Sequence, residues 1–134
     1  MYKESKKMIT GIEHIAVCAK DTAALKDWYV KMFDFKVVYD NGKGTYFVAA
    51  PDGSMIEIIA ADKDMGKNEP NDSGVRHFAL SVTDDGFEKM VEKLKAEGVE
   101  VVTDVKEKNG IKTFFFRDIE GNIFHLIFRP NPLV

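Results

Sequence analysis

The chain carries three histidines, His14, His77 and His125, and all three fall at matched places in an internal repeat. Gly11-Ile12-Glu13-His14-Ile15-Ala16 reads like Gly74-Val75-Arg76-His77-Phe78-Ala79. Gly53-Ser54-Met55-Ile56-Glu57-Ile58-Ile59 reads like Gly121-Asn122-Ile123-Phe124-His125-Leu126-Ile127. Each copy therefore holds one metal-capable side chain near its start and one near its end. Imidazole and carboxylate together form the ligand set of a divalent transition metal. Zn, Ni, Co, Fe or Mn suits that set better than Ca, which prefers oxygen alone. His14, Glu57, His77 and His125 are the expected metal ligands. Glu57 is the one acid among them, so it is also the expected catalytic base.

These residues need strands to place them. Ile12 to Cys18 alternates and reads as a first strand. Asp21 then reads as the N-cap of a helix running to about Phe33, with Leu25, Trp28, Tyr29 and Met32 as its inward stripe. Strands follow at Phe35 to Tyr39, Tyr46 to Ala50 and Met55 to Ala60, with turns at Asn41-Gly42-Lys43-Gly44 and Pro51-Asp52-Gly53-Ser54. The order β-α-β-β-β then restarts. Val75 to Val82 is a strand, Asp84 the expected cap and Phe87 to Glu97 a helix closed by Gly98. Val99 to Thr103, Ile111 to Phe116 and Ile123 to Phe128 complete the second copy, and the proline-rich tail should leave the sheet. The expectation is an α+β chain over residues 1–134, a single domain of two tandem βαβββ modules. Module one covers about 9–61, a polar linker 62–73 and module two about 74–129.

Strand parity says which way the candidates point, because successive side chains alternate faces. His14 shares its face with Ile12, Ala16 and Cys18, and His77 shares its face with Val75, Ala79 and Ser81. Mostly small residues therefore flank both, which leaves room beside them, while the larger apolar rows pack on the helices. His14 and His77 read either as core histidines kept from duplication or as ligands. The small neighbours favour ligands. An acid inside Met55-Ile56-Glu57-Ile58-Ile59 is costly to bury without a cation. His125 reads as a ligand or as a hydrogen-bonding group for a bound molecule. Cys18 reads as a small buried hydrophobe. Arg76, Arg117 and Arg129 are the only arginines. Each reads first as solvated or salt-bridged, and each is able to hold an anionic substrate group.

The formal net charge is −3 and charged residues are 31% of the chain. An acidic chain does not attract nucleic acid or an acidic membrane, so neither is an expected partner. The start has charge and no apolar signal core, and one cysteine makes no internal disulfide; a cytoplasmic location is expected.

In these segments the chain resembles the vicinal oxygen chelate superfamily, which includes glyoxalase I, bleomycin and fosfomycin resistance proteins and extradiol dioxygenases. The carriers are Gly11 to Val17, Trp28-Tyr29, Gly74 to Ala79 and Asp118-Ile119-Glu120-Gly121-Asn122-Ile123-Phe124-His125-Leu126. The resemblance implies curved, mostly antiparallel sheets around a pocket and a metal held by the first and last strands of paired modules. It carries over here to His14, Glu57, His77 and His125. It further implies a homodimer. Two positions depart from the usual pattern. Glutamate is usual where His125 stands, and a Leu-Gly pair is usual where Phe33-Asp34 stands. The expected function is a metal-dependent, glyoxalase-like lyase or isomerase whose small-molecule substrate chelates the metal through vicinal oxygens. The alternatives are an Fe(II) ring-cleaving dioxygenase and a non-catalytic, bleomycin-resistance-like binding protein.

Overall fold

The computed structural model describes residues 8–65 and 69–134. The chain forms two compact units, Met1–Asp62 and Lys63–Val134.

The first unit runs β1 (His14–Ala19), α1 (Thr22–Phe33), β2 (Lys36–Asp40), β3 (Tyr46–Ala49) and β4 (Met55–Ala60). Its sheet has the order β1-β4-β3-β2. β1 lies parallel to β4, and the other two pairings are antiparallel. Asp21 caps α1 by accepting from the Ala24 amide at 3.0 Å. Leu25, Tyr29 and Met32 are fully buried, as their spacing predicts, and so are Val48 and Ile58 of the sheet. Trp28 is only half-buried; its ring lies edge-on to Tyr29 and Phe33 at the helix margin. α1 ends on Asp34 at φ 58°, in the left-handed region. That conformation suits glycine, the residue the resemblance leads one to expect at this corner.

The second unit repeats the plan with β5 (Phe78–Ser81), α2 (Asp84–Ala96), β6 (Val101–Lys108), β7 (Ile111–Arg117) and β8 (Ile123–Phe128). Its sheet order is β5-β8-β7-β6, again with one parallel and two antiparallel pairings. Phe87, Val91 and Leu94 bury one face of α2. Phe114, Phe116, Phe124 and Leu126 are fully buried on the sheet.

Several element ends differ from the sequence expectation: β1 runs His14–Ala19 instead of Ile12 to Cys18, and β6 begins at Val101 instead of Val99. β5 begins at Phe78, so His77 sits just before the strand. Thr83, not Asp84, caps α2, accepting from the Gly86 amide at 3.0 Å; Asp84 and Asp85 instead fill the first turn, where the helix dipole favours acids. β6 extends to Lys108 because Asn109 and Gly110, at φ 54° and 80°, make the tight hairpin into β7. The added stretch of β6 is a charged outer strand, a composition that discourages edge pairing. Among the described residues no helix is long and apolar enough to cross a membrane.

Candidate metal centre

Strand register makes the duplication a geometric fact. Ala16 of β1 pairs with Glu57 of β4, and Ala79 of β5 pairs with His125 of β8. His14 and His77 each precede that alanine by two residues, so each lies on the same side as its partner donor. On the other flank Phe47 pairs with Glu57, and Phe115 pairs with His125. Each unit thus carries a histidine at or just before its first strand, a last-strand donor and a phenylalanine on the neighbouring strand.

In the first unit His14 Nε2 stands 3.4 Å from Glu57 Oε1. His14 Nδ1 stands 2.8 Å from Glu13 Oε1. A carboxylate only accepts, so Nδ1 carries a hydrogen, and Nε2 is the ring nitrogen turned toward Glu57. This is the arrangement by which an outer carboxylate orients a ligating histidine. Two donors at about 2.1 Å from a shared ion are roughly 3.0–3.4 Å apart, so the pair already has the separation that ligation requires. Phe47 lies edge-on to His14, with ring centroids 5.0 Å apart. Glu57 is only partly exposed, between the buried Ile56 and Ile58. A carboxylate in that setting is stabilised by a cation beside it.

In the second unit the His77 and His125 rings meet edge-on with centroids 4.6 Å apart. His125 is buried, its Nδ1 3.2 Å from the Leu126 carbonyl. A carbonyl accepts, which leaves Nε2 as a free lone pair. Phe115 stacks flat on His125, its centroid 4.3 Å away, and touches His77 edge-on at 5.4 Å. Burial holds the pKa of His125 below its ordinary value, with neighbouring His77 adding to the effect. Burial, then Arg76, lowers that of His77. Both effects favour neutral imidazoles, the form that binds metal. The donors come as a pair in each unit, and among the described residues no group of three or more His, Cys, Asp or Glu is placed to hold a metal ion.

Sequence reasoning missed Glu13, the place of Arg76 beside His77 (the sequence marks Arg76 only as able to hold an anionic group), and Phe47. The first two occupy the same place in the repeat, each beside its histidine, and that alignment could have flagged them. Phe47 becomes visible only once strand register is known. Cys18 is exposed, not buried as expected, because β1 is an edge of its sheet and its helix-free face carries the cysteine. Arg117 serves the fold rather than a ligand. It is buried, donates to the Gly121 carbonyl at 2.7 Å and pairs with Glu100 at 3.1 Å.

Two βαβββ modules each set a histidine at the start of the repeat beside a donor on the last strand, which is a duplicated architecture. A family model described as the Glyoxalase/Bleomycin resistance protein/Dioxygenase superfamily matches residues 11–126, and the chain belongs to that superfamily. It is 22% identical over 125 residues to fosfomycin resistance protein FosX of Listeria monocytogenes, covering 89% of this chain and 90% of that one. A crystal structure of that FosX superposes with a TM-score of 0.76 at 21% identity, over 94% of this chain and 97% of that one. Metallothiol transferase FosB of Bacillus licheniformis is 29% identical over 119 residues, 88% of this chain and 75% of its own length. Biphenyl-2,3-diol 1,2-dioxygenase 2 of Rhodococcus globerulus is 25% identical over 116 residues, 84% of this chain. The match spans only 60% of the dioxygenase's length.

Proposed function

We propose that this protein is a metal-dependent enzyme of glyoxalase type, a lyase or isomerase acting on a small molecule that offers two vicinal oxygens to the metal. The observation that carries this reading is the His14–Glu57 pair at 3.4 Å, with His14 already turned for ligation by Glu13. His14 and Glu57 would supply ligands to a divalent transition metal, and His77 and His125 are the further candidate ligands that the repeat offers. Bound there, the ion supplies Lewis acidity to a developing oxyanion.

The chain's own residues do the rest. Glu57 is the proton acceptor, because it is the one carboxylate in the donor set and its oxygen faces the site. Glu13 fixes the His14 ring. Phe47 and Phe115 form flat apolar walls beside the donors and keep water from crowding them. A FosX mutant of Listeria monocytogenes is complexed with Mn(II) and dihydroxypropylphosphonic acid, which supports a metal and a small oxygen-bearing molecule as ligands here. Assembly as a homodimer is part of the same proposal. Val37, Val38 and Tyr39 leave the outer strand β2 apolar and exposed, a liability for a lone subunit. Sedimentation should show a dimer at tens of micromolar, a concentration well above a roughly micromolar Kd.

Metal analysis of protein purified without chelators tests the assignment. Stoichiometric Ni, Zn, Co or Mn is expected, together with turnover of an α-hydroxycarbonyl or related substrate that a chelator abolishes. Stoichiometric iron with oxygen-dependent ring opening of a catechol would replace this reading by the dioxygenase one, which the Rhodococcus relative favours. A chain that takes up no metal but binds small planar molecules would replace both.

A further inference from the structure

The repeat places opposite charges beside the histidines near the start of its two copies. Glu13 accepts from His14 Nδ1, whereas Arg76 Nη1 donates to His77 Nδ1 at 2.9 Å. Arginine has no acceptor, so His77 Nδ1 is the acceptor and its hydrogen sits on Nε2. That is the reverse of His14 and His125. While the contact lasts, the Nε2 of His77 has no lone pair to give a metal.

The guanidinium of Arg76 is exposed. Nε donates to Asn71 Oδ1 at 3.2 Å, and its centre lies 5.6 Å from the Phe115 ring centroid. Phe115 is the same ring that carries His125 and abuts His77. The charged side chain seen against the second unit's pair is Arg76, whose guanidinium meets His77 and lies over the Phe115 ring. The first unit's pair, by contrast, carries two carboxylates, Glu13 and Glu57. The second unit's pair is therefore the half suited to an oxyanion.

We propose that Arg76 is an anion-binding residue that blocks His77 in the free protein, and that an anionic oxygen group on Arg76 releases His77 to present Nε2 as a donor. The coupling to metal rests on the metal-dependent reading above; the anion site does not. A carboxylate, phosphonate or sulfate group is the matching chemistry, because a guanidinium bonds such groups in a bidentate fork. Thermodynamic reciprocity then makes the anion and the metal tighten each other.

The test follows histidine nitrogen shifts by NMR on metal-free protein, with sulfate as the probe. Three histidines in the whole chain make assignment by single substitution practical. His77 should show its hydrogen on Nε2, and His14 and His125 on Nδ1. Sulfate should raise the Nδ1–H population of His77, and Arg76→Met should raise it without sulfate. Zn(II) affinity should rise roughly three- to tenfold with sulfate in the wild-type chain, the equilibrium weight of one exposed hydrogen bond. In Arg76→Met the affinity should be high from the start and indifferent to sulfate. His77 already in the Nδ1–H form, or a sulfate response that survives in Arg76→Met, would overturn the proposal. A wild-type chain that binds no Zn(II) would sink the metal reading and the coupling with it, while the sulfate response still decides the anion site.

Discussion

Phe115 lies 8° from parallel to the His125 ring at 4.3 Å, so one aromatic face fixes the orientation of the most buried candidate ligand. The position is set by register, since Phe115 and His125 are direct cross-strand partners in the antiparallel β7/β8 pair. Such neighbours are close enough to hold each other's rotamers. Phe115→Ala should lower stability by about 2 kcal/mol, less than a fully buried phenylalanine loses because Phe115 is only half-buried. It should also weaken metal binding, because His125 gains rotational freedom. Phe115→Leu should keep most of the stability and lose the same binding. Denaturant unfolding and metal titration of both variants separate packing from orientation.

Glu57 is proposed both to bind the metal and to take a proton. Glu57→Gln keeps a weakly coordinating oxygen but removes the basic site. Activity should fall roughly 10²–10⁴-fold, the usual worth of a positioned general base, while metal content falls much less. His125→Glu is the companion, since glutamate is the residue usual at that place in the superfamily. It should retain metal and raise glyoxalase-like turnover. Unchanged metal and unchanged activity in both variants would remove Glu57 and His125 from the site.

Much of this arrangement is legible in the chain. Periodicity gives α1 and its buried Leu25, Tyr29 and Met32, and alternation gives β4 and β8 to the residue. The repeat finds His14, Glu57, His77 and His125 because duplicated strands keep their register. Other features escape for physical reasons. The end of β6 carries one apolar residue, the exposed Val105, among charged ones, so no hydrophobic pattern marks it; only the Asn109-Gly110 turn could have done so. β5 is short because Val75 and Arg76 are exposed and pair with no strand. Glu13 and Arg76 both meet the Nδ1 of the histidine beside them, one accepting and the other donating, and that contact is decided by side-chain geometry.

Acidification of the metal-free protein should reveal the buried pair. The pKa values of His77 and His125 are lowered in the fold, chiefly by burial. Above pH about 6.5, the ordinary histidine value, neither folded nor unfolded chain binds these protons, and their contribution to stability is full. As pH falls below that value the unfolded chain takes up protons that the folded chain resists. Stability then declines until the folded pKa values are passed. Asp52 and Asp104 have lowered pKa values as well, but they titrate below this window. Denaturant midpoints in excess chelator should drop between pH 7.5 and pH 5.5, and His125→Asn should flatten that slope.

The corner after α1 offers a stabilising change away from the site. Asp34 holds φ 58° and closes the helix through its own amide, which donates to the Val30 carbonyl at 3.1 Å. A side chain in the left-handed region costs about 1–2 kcal/mol, somewhat less for aspartate, which tolerates it better than most residues. Glycine removes that cost and adds backbone freedom to the unfolded chain, which offsets part of the gain. Asp34→Gly should therefore stabilise the protein by about 0.5–1 kcal/mol and raise its melting temperature by a few degrees. Metal content and activity should not change, because Asp34 lies at the helix end and none of the donors contacts it. A destabilised Asp34→Gly variant would mean that the carboxylate makes a favourable local interaction that outweighs the backbone strain.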